Sequence, residues 1–370
     1  PLRGENSFLS TVCRTPEGMR TKRIRMDQRR TASAVSLSAA AVWGFACAPP
    51  FLYNREDIAA PAWRIKDWDY YLVNDDDFAL ALTFSDLGYL GLVSASVMDF
   101  AARTFKTTSE VVPFTFGSFR LPRRSSRGDI SWSNSRCRVE WHHVGAGGQA
   151  RRLSFRMARF DGDSDLEAEL YLDREPADSM VIATPWTEDP AAFYYNQKII
   201  GMRARGGFRA GGLFQEFEAS DALGLLDWGR GVWTYENTWY WAAAQGYQDG
   251  RLIGLNLGYG FGDTSAASEN MAFVDGVCHK LHLIDFGIPR RADGGYDYLA
   301  PWHMTDDEGR LDLVFTPQID RTDNIDVANV IVSKQHQVFG LLTGKIVLDD
   351  GSELRVRDLR GSAEHICNRY

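Results

Sequence analysis

The stretch Trp233–Trp241, WTYENTWYW, puts three tryptophans and two tyrosines into nine residues. At the two-residue period of a strand, Trp233, Tyr235, Asn237, Trp239 and Trp241 share one face, and Thr234, Glu236, Thr238 and Tyr240 share the other. A helix would scatter the rings over more than half of its circumference, and threonine and aromatic residues favour strands. The stretch reads as a strand with one aromatic wall.

The same alternation runs outward from it. WDYYLV (68–73), FALALTFSDL (78–87), CRVEWHHV (137–144) and LEAELYL (166–172) are short alternating segments rich in β-branched or aromatic residues. Asp249-Gly250, Asp275-Gly276, Glu308-Gly309 and Asp350-Gly351 fall between apolar runs, where a glycine of positive φ closes a tight hairpin. No long segment carries a 3.6-residue period. The expected fold is all-β and antiparallel, with two lipocalin-like barrels or sandwiches packed side by side.

A chain of 370 residues exceeds a single ordinary core, which also favours two domains. The segment RARGGFRAGG, Arg203–Gly212, has four glycines in ten residues and reads as the linker. The expected division is a disordered or non-core extension over 1–40, a first β-barrel over 41–205 and a second over 206–370.

Composition excludes several classes. With 44% hydrophobic and 24% charged residues the chain can bury a core, and a net charge of −8 argues against a nucleic-acid partner. The one basic run, Arg20–Arg30, precedes an Ala/Ser-rich segment that imitates a secretory signal but lacks a Leu/Ile/Val centre. A cytoplasmic protein is expected, with export the minority alternative. No run of about twenty apolar residues exists, so no transmembrane segment is expected. Peripheral membrane contact stays open. Five cysteines without a C-x-x-C pair make neither a disulfide framework nor a zinc site, and fit a reducing compartment. His142 and His143 are adjacent and His279 and His282 are three apart, spacings that separate ligands on a strand. Neither a metal nor a cofactor is expected. GAGGQA, Gly145–Ala150, matches a dinucleotide pattern, but an alternating strand follows it where a helix is required.

Six blocks carry a family resemblance: WRIKDWDYY (63–71), LDWGRGVWTYENTWYWAAAQG (226–246), RLIGLNLGYGFGD (251–263), SENMAFVDGVCHKL (268–281), LDLVFTP (311–317) and GSAEHICNRY (361–370). Together they resemble the domain of unknown function 2804 family over about residues 41–370. That family is similar to double-barrel lipocalin-like proteins, among them carotenoid hydratases, tocopherol cyclases and fungal cyclases of the Diels-Alderase type. The resemblance implies two calycin-like barrels with an apolar ligand at their junction.

Within these blocks Asp227, Glu364 and His365 are the candidate acids and bases, since a carboxyl raised by desolvation, or an imidazole, can move a proton in a dry cavity. Asp227 paired with Arg230 near a turn is more often a brace for the loop. The candidate ligand-binding set is Trp228, Arg230, Trp233, Tyr235, Asn237, Trp239, Trp241, Asn256, Glu269 and Asn270, joined by Tyr70 and by Tyr194 of FYYNQK (193–198). Asn256 directed into a barrel needs a partner, either a turn backbone or a ligand. The aromatic wall is either cavity or core. The expected function is binding of an apolar or ring-bearing small molecule (lipid, isoprenoid or polyketide-like), and whether cofactor-free proton chemistry of the hydratase, isomerase or cyclase type accompanies it stays open. A non-catalytic lipid carrier and a carbohydrate-active protein are the alternatives. The sequence leaves the oligomeric state open.

Overall fold

A computed structural model describes residues 44–369 apart from 190, 266 and 328–330. The extension expected over residues 1–40 lies outside the described residues. Strand accounts for 64% of the structure and helix for 3%, so the all-β reading holds.

The first sheet is built by β1 (Gly44–Ala46), β2 (Ile65–Asn74), β3 (Phe78–Asp86), β4 (Leu90–Asp99), β5 (Thr104–Pro113), β6 (Ile130–Ser133) and β7 (Cys137–Val144). It continues through β8 (Ala150–Asp161), β9 (Ser164–Leu172), β10 (Met180–Pro185), β11 (Phe193–Ala210), β12 (Leu213–Phe217) and β13 (Leu223–Val232). The second sheet holds β14 (Glu236–Gln248), β15 (Arg251–Tyr259), β16 (Met271–Val274), β17 (Val277–Lys280) and β18 (Ile284–Asp285). Its remaining strands are β19 (Trp302–Asp306), β20 (Leu311–Val327), β21 (Ile331–Val347) and β22 (Glu353–Arg369). All named pairings are antiparallel. The main path of the first sheet runs β5-β4-β3-β2-β13-β11-β9-β8-β7-β6, and the second runs β17-β16-β15-β14-β22-β21-β20-β19-β18.

Each sheet curls into a half-barrel. The first brings its ends together through side chains: Glu110 on β5 accepts from Asn134 (2.8 Å) and pairs with Arg136 (3.2 Å), and Thr108 donates to the Phe160 carbonyl. Its interior holds Phe84 stacked on Phe119 at 4.5 Å and Tyr71 edge-on to Trp141. The interior of the second is a separate core that includes Trp302, Phe315, Phe286 and Leu313. The Asp-Gly turns close as the sequence predicts, with φ of 51° and 76° at Asp249-Gly250 and 52° and 76° at Asp275-Gly276.

Two expectations change. Arg203–Gly212 is not a linker, because residues 203–210 lie within the continuous strand β11. The glycines serve close approach instead: a Cβ on Gly206 would stand 2.2 Å from the Glu169 carbonyl, and one on Gly207 2.2 Å from that of Gln215. The chain leaves the first sheet after Val232 and enters the second at Glu236, so the passage falls inside the aromatic stretch. Trp233 to Tyr235 therefore form a corner, and only Glu236 onward is strand. Thr234 donates to the Glu236 carbonyl and Asn237 Nδ2 to the Thr234 carbonyl. Tyr235, expected on the wall, is 51% exposed at the corner.

One carboxylate fixes a loop of the first half-barrel. Asp86 is fully buried and accepts from the Gly88, Gly117 and Phe119 amides and the Thr115 hydroxyl. Asp86→Ala strands these donors and is expected to cost about 3 kcal/mol or more, read as a lower urea midpoint with an unchanged slope.

Candidate functional site

The two sheets meet back to back, and strand register decides which side chains face the junction. On the first sheet Lys198 pairs with Asp227, and Asp227 with Tyr70. On the second, Gly258 pairs with Trp241, Trp241 with Glu364, Glu364 with Gln337, and Gln337 with Arg321. These two rows confront each other. Lys198 Nζ lies 2.6 Å from Asp227 Oδ2 within the first sheet and 4.0 Å over the Trp241 ring, a cation–π contact that ties the two sheets together. Asn196 Nδ2 donates to Asp227 Oδ1 at 2.7 Å. Trp239 Nε1 donates to Glu364 Oε1 at 2.9 Å, and Gln337 Nε2 to Oε2 at 3.1 Å. Trp241 Nε1 donates to Asn256 Oδ1 (2.8 Å), whose own amide donates to the Glu269 carbonyl (2.9 Å).

Glu269 is the unusual member. It is 1% exposed, and among the described residues neither carboxyl oxygen has a hydrogen-bond partner. Its side chain occupies space left by Gly258, where a Cβ would come within 2.0 Å of Oε1. Burial pushes its pKa up to about 7, with Lys198 opposing the rise and the charges of Asp227 and Glu364 adding to it. Glu364 is likewise pushed up to about 7 by burial, against its hydrogen bond from Trp239 and the charge of Lys198. Beside them the Tyr194 hydroxyl is buried without a partner, and burial followed by the charges of Glu269, Asp227 and Glu364 raises it. Three carboxyl groups thus share one dry junction with Lys198, an arrangement that favours keeping protons on some of them.

An aromatic cluster adjoins the carboxyls. Trp233 contacts Trp239 (4.9 Å), Trp186 (5.1 Å), Tyr194 (5.6 Å) and Trp68 (5.8 Å), and Phe261 stacks on Tyr194 at 4.9 Å. The Trp233 ring nitrogen also has no partner. Two small cavities, each of about 10 Å³ and so the size of one water, lie elsewhere. One is in the first half-barrel beside Asp69, Tyr71 and Arg151; the other, near Leu72, Gln245 and Phe339, is at the junction but away from Glu269.

Of the residues expected from sequence, the structure gathers Asp227, Glu364, Glu269, Trp239, Trp241, Asn256, Tyr194, Trp233 and Tyr70 at this junction. Tyr70 meets the Trp241 ring edge-on at 6.2 Å. Asn237 is buried at the adjoining corner. Asn256 finds protein partners, which answers its demand without a ligand.

Others face away. Arg230 lies three residues from Asp227 and so points into the first half-barrel, where it pairs with Asp69 (2.8 Å) and donates to the Trp68, Gly229 and Pro122 carbonyls. The proposed brace between Asp227 and Arg230 is absent for that reason. Trp228 shares Arg230's face, 4.1 Å beneath its guanidinium. Asn270 is spent on backbone, accepting from Gly258 and donating to the His282 carbonyl. His365 faces the second half-barrel, stacked on Tyr240 at 4.4 Å and bonded to the Tyr298 hydroxyl at 2.7 Å. Burial and the charges of His336 and Arg290 lower it to about 4, so it is neutral at physiological pH and remote from the carboxyls.

Lys198, Asn196, Gln337 and Arg321 were not singled out from sequence. Tyr194, Asn196 and Lys198 alternate in FYYNQK, which was the available signal. Among the described residues one trio has metal-ligand chemistry, Cys47, Asp178 and Cys278, within 4.8 Å of one another. Cys47 is disulfide-bonded and so offers no thiolate, and its sulfur stands 2.8 Å from that of Cys278, closer than the ~3.7 Å between two sulfurs on one tetrahedral zinc.

The fold and this junction define a double half-barrel β-protein with a buried acidic centre between its sheets. The family described as domain of unknown function (DUF2804) matches residues 36–370, and the chain belongs to that family. No curated protein matches it in sequence. Among solved structures it is similar to AttH from Nitrosomonas europaea, with 12% identity, a TM-score of 0.51, and 85% of this chain and 95% of that one covered. Kievitone hydratase from Nectria haematococca gives 8% identity, a TM-score of 0.45, and coverage of 82% and 88%. CghA with Sch210972 gives 10%, 0.43, 82% and 88%. At these identities the AttH likeness shows the fold alone. Among the described residues no helix is long and apolar enough to cross a membrane.

Proposed function

We propose that the junction is the active site of a cofactor-independent acid–base enzyme acting on an apolar, ring-bearing or isoprenoid-like small molecule, by hydration, isomerisation or cyclisation. The observation that carries this reading is the Glu269 carboxyl, buried with both oxygens unpartnered. Leaving such a group unsatisfied costs stability, and natural proteins keep that cost where a ligand or a reaction uses it. A carboxyl near pKa 7 can carry its proton at neutral pH and deliver it to an alkene carbon or a carbonyl oxygen. Asp227, held by Lys198 and Asn196, is placed to take a proton back or to stabilise a cationic intermediate electrostatically. Trp239, Trp233 and Tyr194 supply flat apolar walls, and a substrate enters by parting these rings.

Native mass spectrometry of the freshly purified protein identifies a retained small molecule, and that molecule is then the substrate for kinetics. Asp227→Asn and Glu269→Gln each keep the side-chain shape and replace the carboxyl by an amide that cannot exchange a proton with the substrate. Both are expected to hold the ligand while losing turnover about 10²-fold or more. Full turnover in both variants removes the acid–base assignment.

A further inference from the structure

We propose that the end of the first half-barrel formed by Phe114–Gly128 docks on an anionic lipid surface. Phe114 is 72% exposed and Phe116 48%, and their rings stack on each other at 6.0 Å. Trp63, 50% exposed, adjoins them: the Phe116 amide donates to the Gly88 carbonyl at 2.7 Å, and a Cβ on Gly88 would stand 2.5 Å from the Trp63 carbonyl.

This display is held in place by the interior. Phe114 and Phe116 both have positive φ, 57° and 47°, a conformation that bulky side chains adopt only when the surroundings impose it. The imposing group is Asp86, whose buried carboxylate takes the Thr115 hydroxyl and the Gly117 and Phe119 amides on either side of Phe116. Exposed rings on a frayed loop would be incidental. Exposed rings on strained backbone, fixed by a fully buried carboxylate, form a rigid apolar tip.

Charge selects the occupant. In a chain of net charge −8, residues 114–128 contain four arginines and no acidic residue. Arg120, Arg123, Arg124 and Arg127 are all exposed. They belong to the same end of the molecule as the rings, since Arg123 donates to the Tyr53 carbonyl and Arg55, two residues on, packs under Gly117. Aromatic rings flanked by arginines match the two layers of a bilayer surface, with apolar groups at the acyl boundary and cations at anionic headgroups. A soluble acidic protein would use the arginines but leave the protruding rings unsatisfied.

The test is co-sedimentation with vesicles of phosphatidylcholine alone and of phosphatidylcholine containing about one third phosphatidylglycerol, at low and high salt. The wild-type chain is expected to partition onto the anionic vesicles, and to lose most of that binding on the neutral ones and at high salt. Phe114→Ser/Phe116→Ser should reduce the partition coefficient about tenfold or more. Arg124→Gln/Arg127→Gln, which leaves the rings and their supporting turn intact, should reduce it about fivefold per arginine at low salt. Circular dichroism of both variants checks that the β-spectrum persists, and the arginine variant decides the matter if the phenylalanine variant unfolds. Equal binding to neutral and anionic vesicles, or no binding at all, overturns the proposal. So does a concentration-dependent dimer in sedimentation velocity that the phenylalanine variant abolishes, because the tip would then meet a second copy of the chain.

Discussion

Glu269→Gln is expected to stabilise the protein above neutral pH. The carboxyl ionises near 4.5 in the unfolded chain, as an ordinary glutamate does, and near 7 in the folded one. Between those values the native state holds a proton that the unfolded state has released, so stability falls as pH rises from about 4.5 through 7. Above 7 the loss is complete, on the order of 3 kcal/mol for this group. Glutamine does not titrate. The variant should therefore match the wild type near pH 4.5 and exceed it by up to about 3 kcal/mol at pH 8, as measured by urea unfolding at both values. Glu364 shifts in the same direction and is coupled to Glu269 through their mutual repulsion, so the double variant gains less than the sum of the two. A gain in stability together with lost turnover would mark Glu269 as a residue retained for chemistry.

Arg230→Met is expected to be among the most damaging single changes in the chain. The guanidinium is fully buried, and its loss leaves Asp69 without its ion-pair partner, and the Pro122 and Trp68 carbonyls without this donor. Breaking one side of such a pair costs about 3 to 5 kcal/mol, because the remaining charge stays in a dry interior. Removing both charges in Asp69→Asn/Arg230→Met strands no ion. The double variant should be more stable than Arg230→Met alone, and a double-mutant cycle by chemical unfolding measures the difference.

How far the sequence speaks depends on what each side of a strand touches. The β class, the hairpin turns and the alternating segments such as WDYYLV (68–73) were legible because period two and Asp-Gly chemistry are local. The choice between Asp227 and Arg230, or between Glu364 and His365, was not. Every residue of β13 is buried, since one face lines a half-barrel and the other the junction, so hydrophobicity does not distinguish the faces. Adjacent or odd-spaced candidates were therefore grouped although the strand sends them apart. Lys198 was passed over because lysines on strands usually face water, whereas this one is 2% exposed against Asp227 and Trp241. Gly206 and Gly207 were taken for part of a linker because flexible linkers and crowded strand crossings call for the same residue. Glu269 was recognised by its block, but its significance lies in missing partners, which only three dimensions reveal.

The position of β22 sets the timetable of synthesis. It lies between β14 and β21 and is what joins the two halves of the second sheet. While the ribosome is still making residues 353–369, β14 and β21 present bare hydrogen-bonding edges with apolar residues alongside. The first sheet faces a milder version, since β2 waits for β13 before its inner edge is covered. Such long-range pairing makes for slow folding and a nascent chain prone to stick to its neighbours. Holdase chaperones are the natural guardians of that interval, and arrested nascent chains ending before Glu353 should bind them far more than chains carried past Arg369.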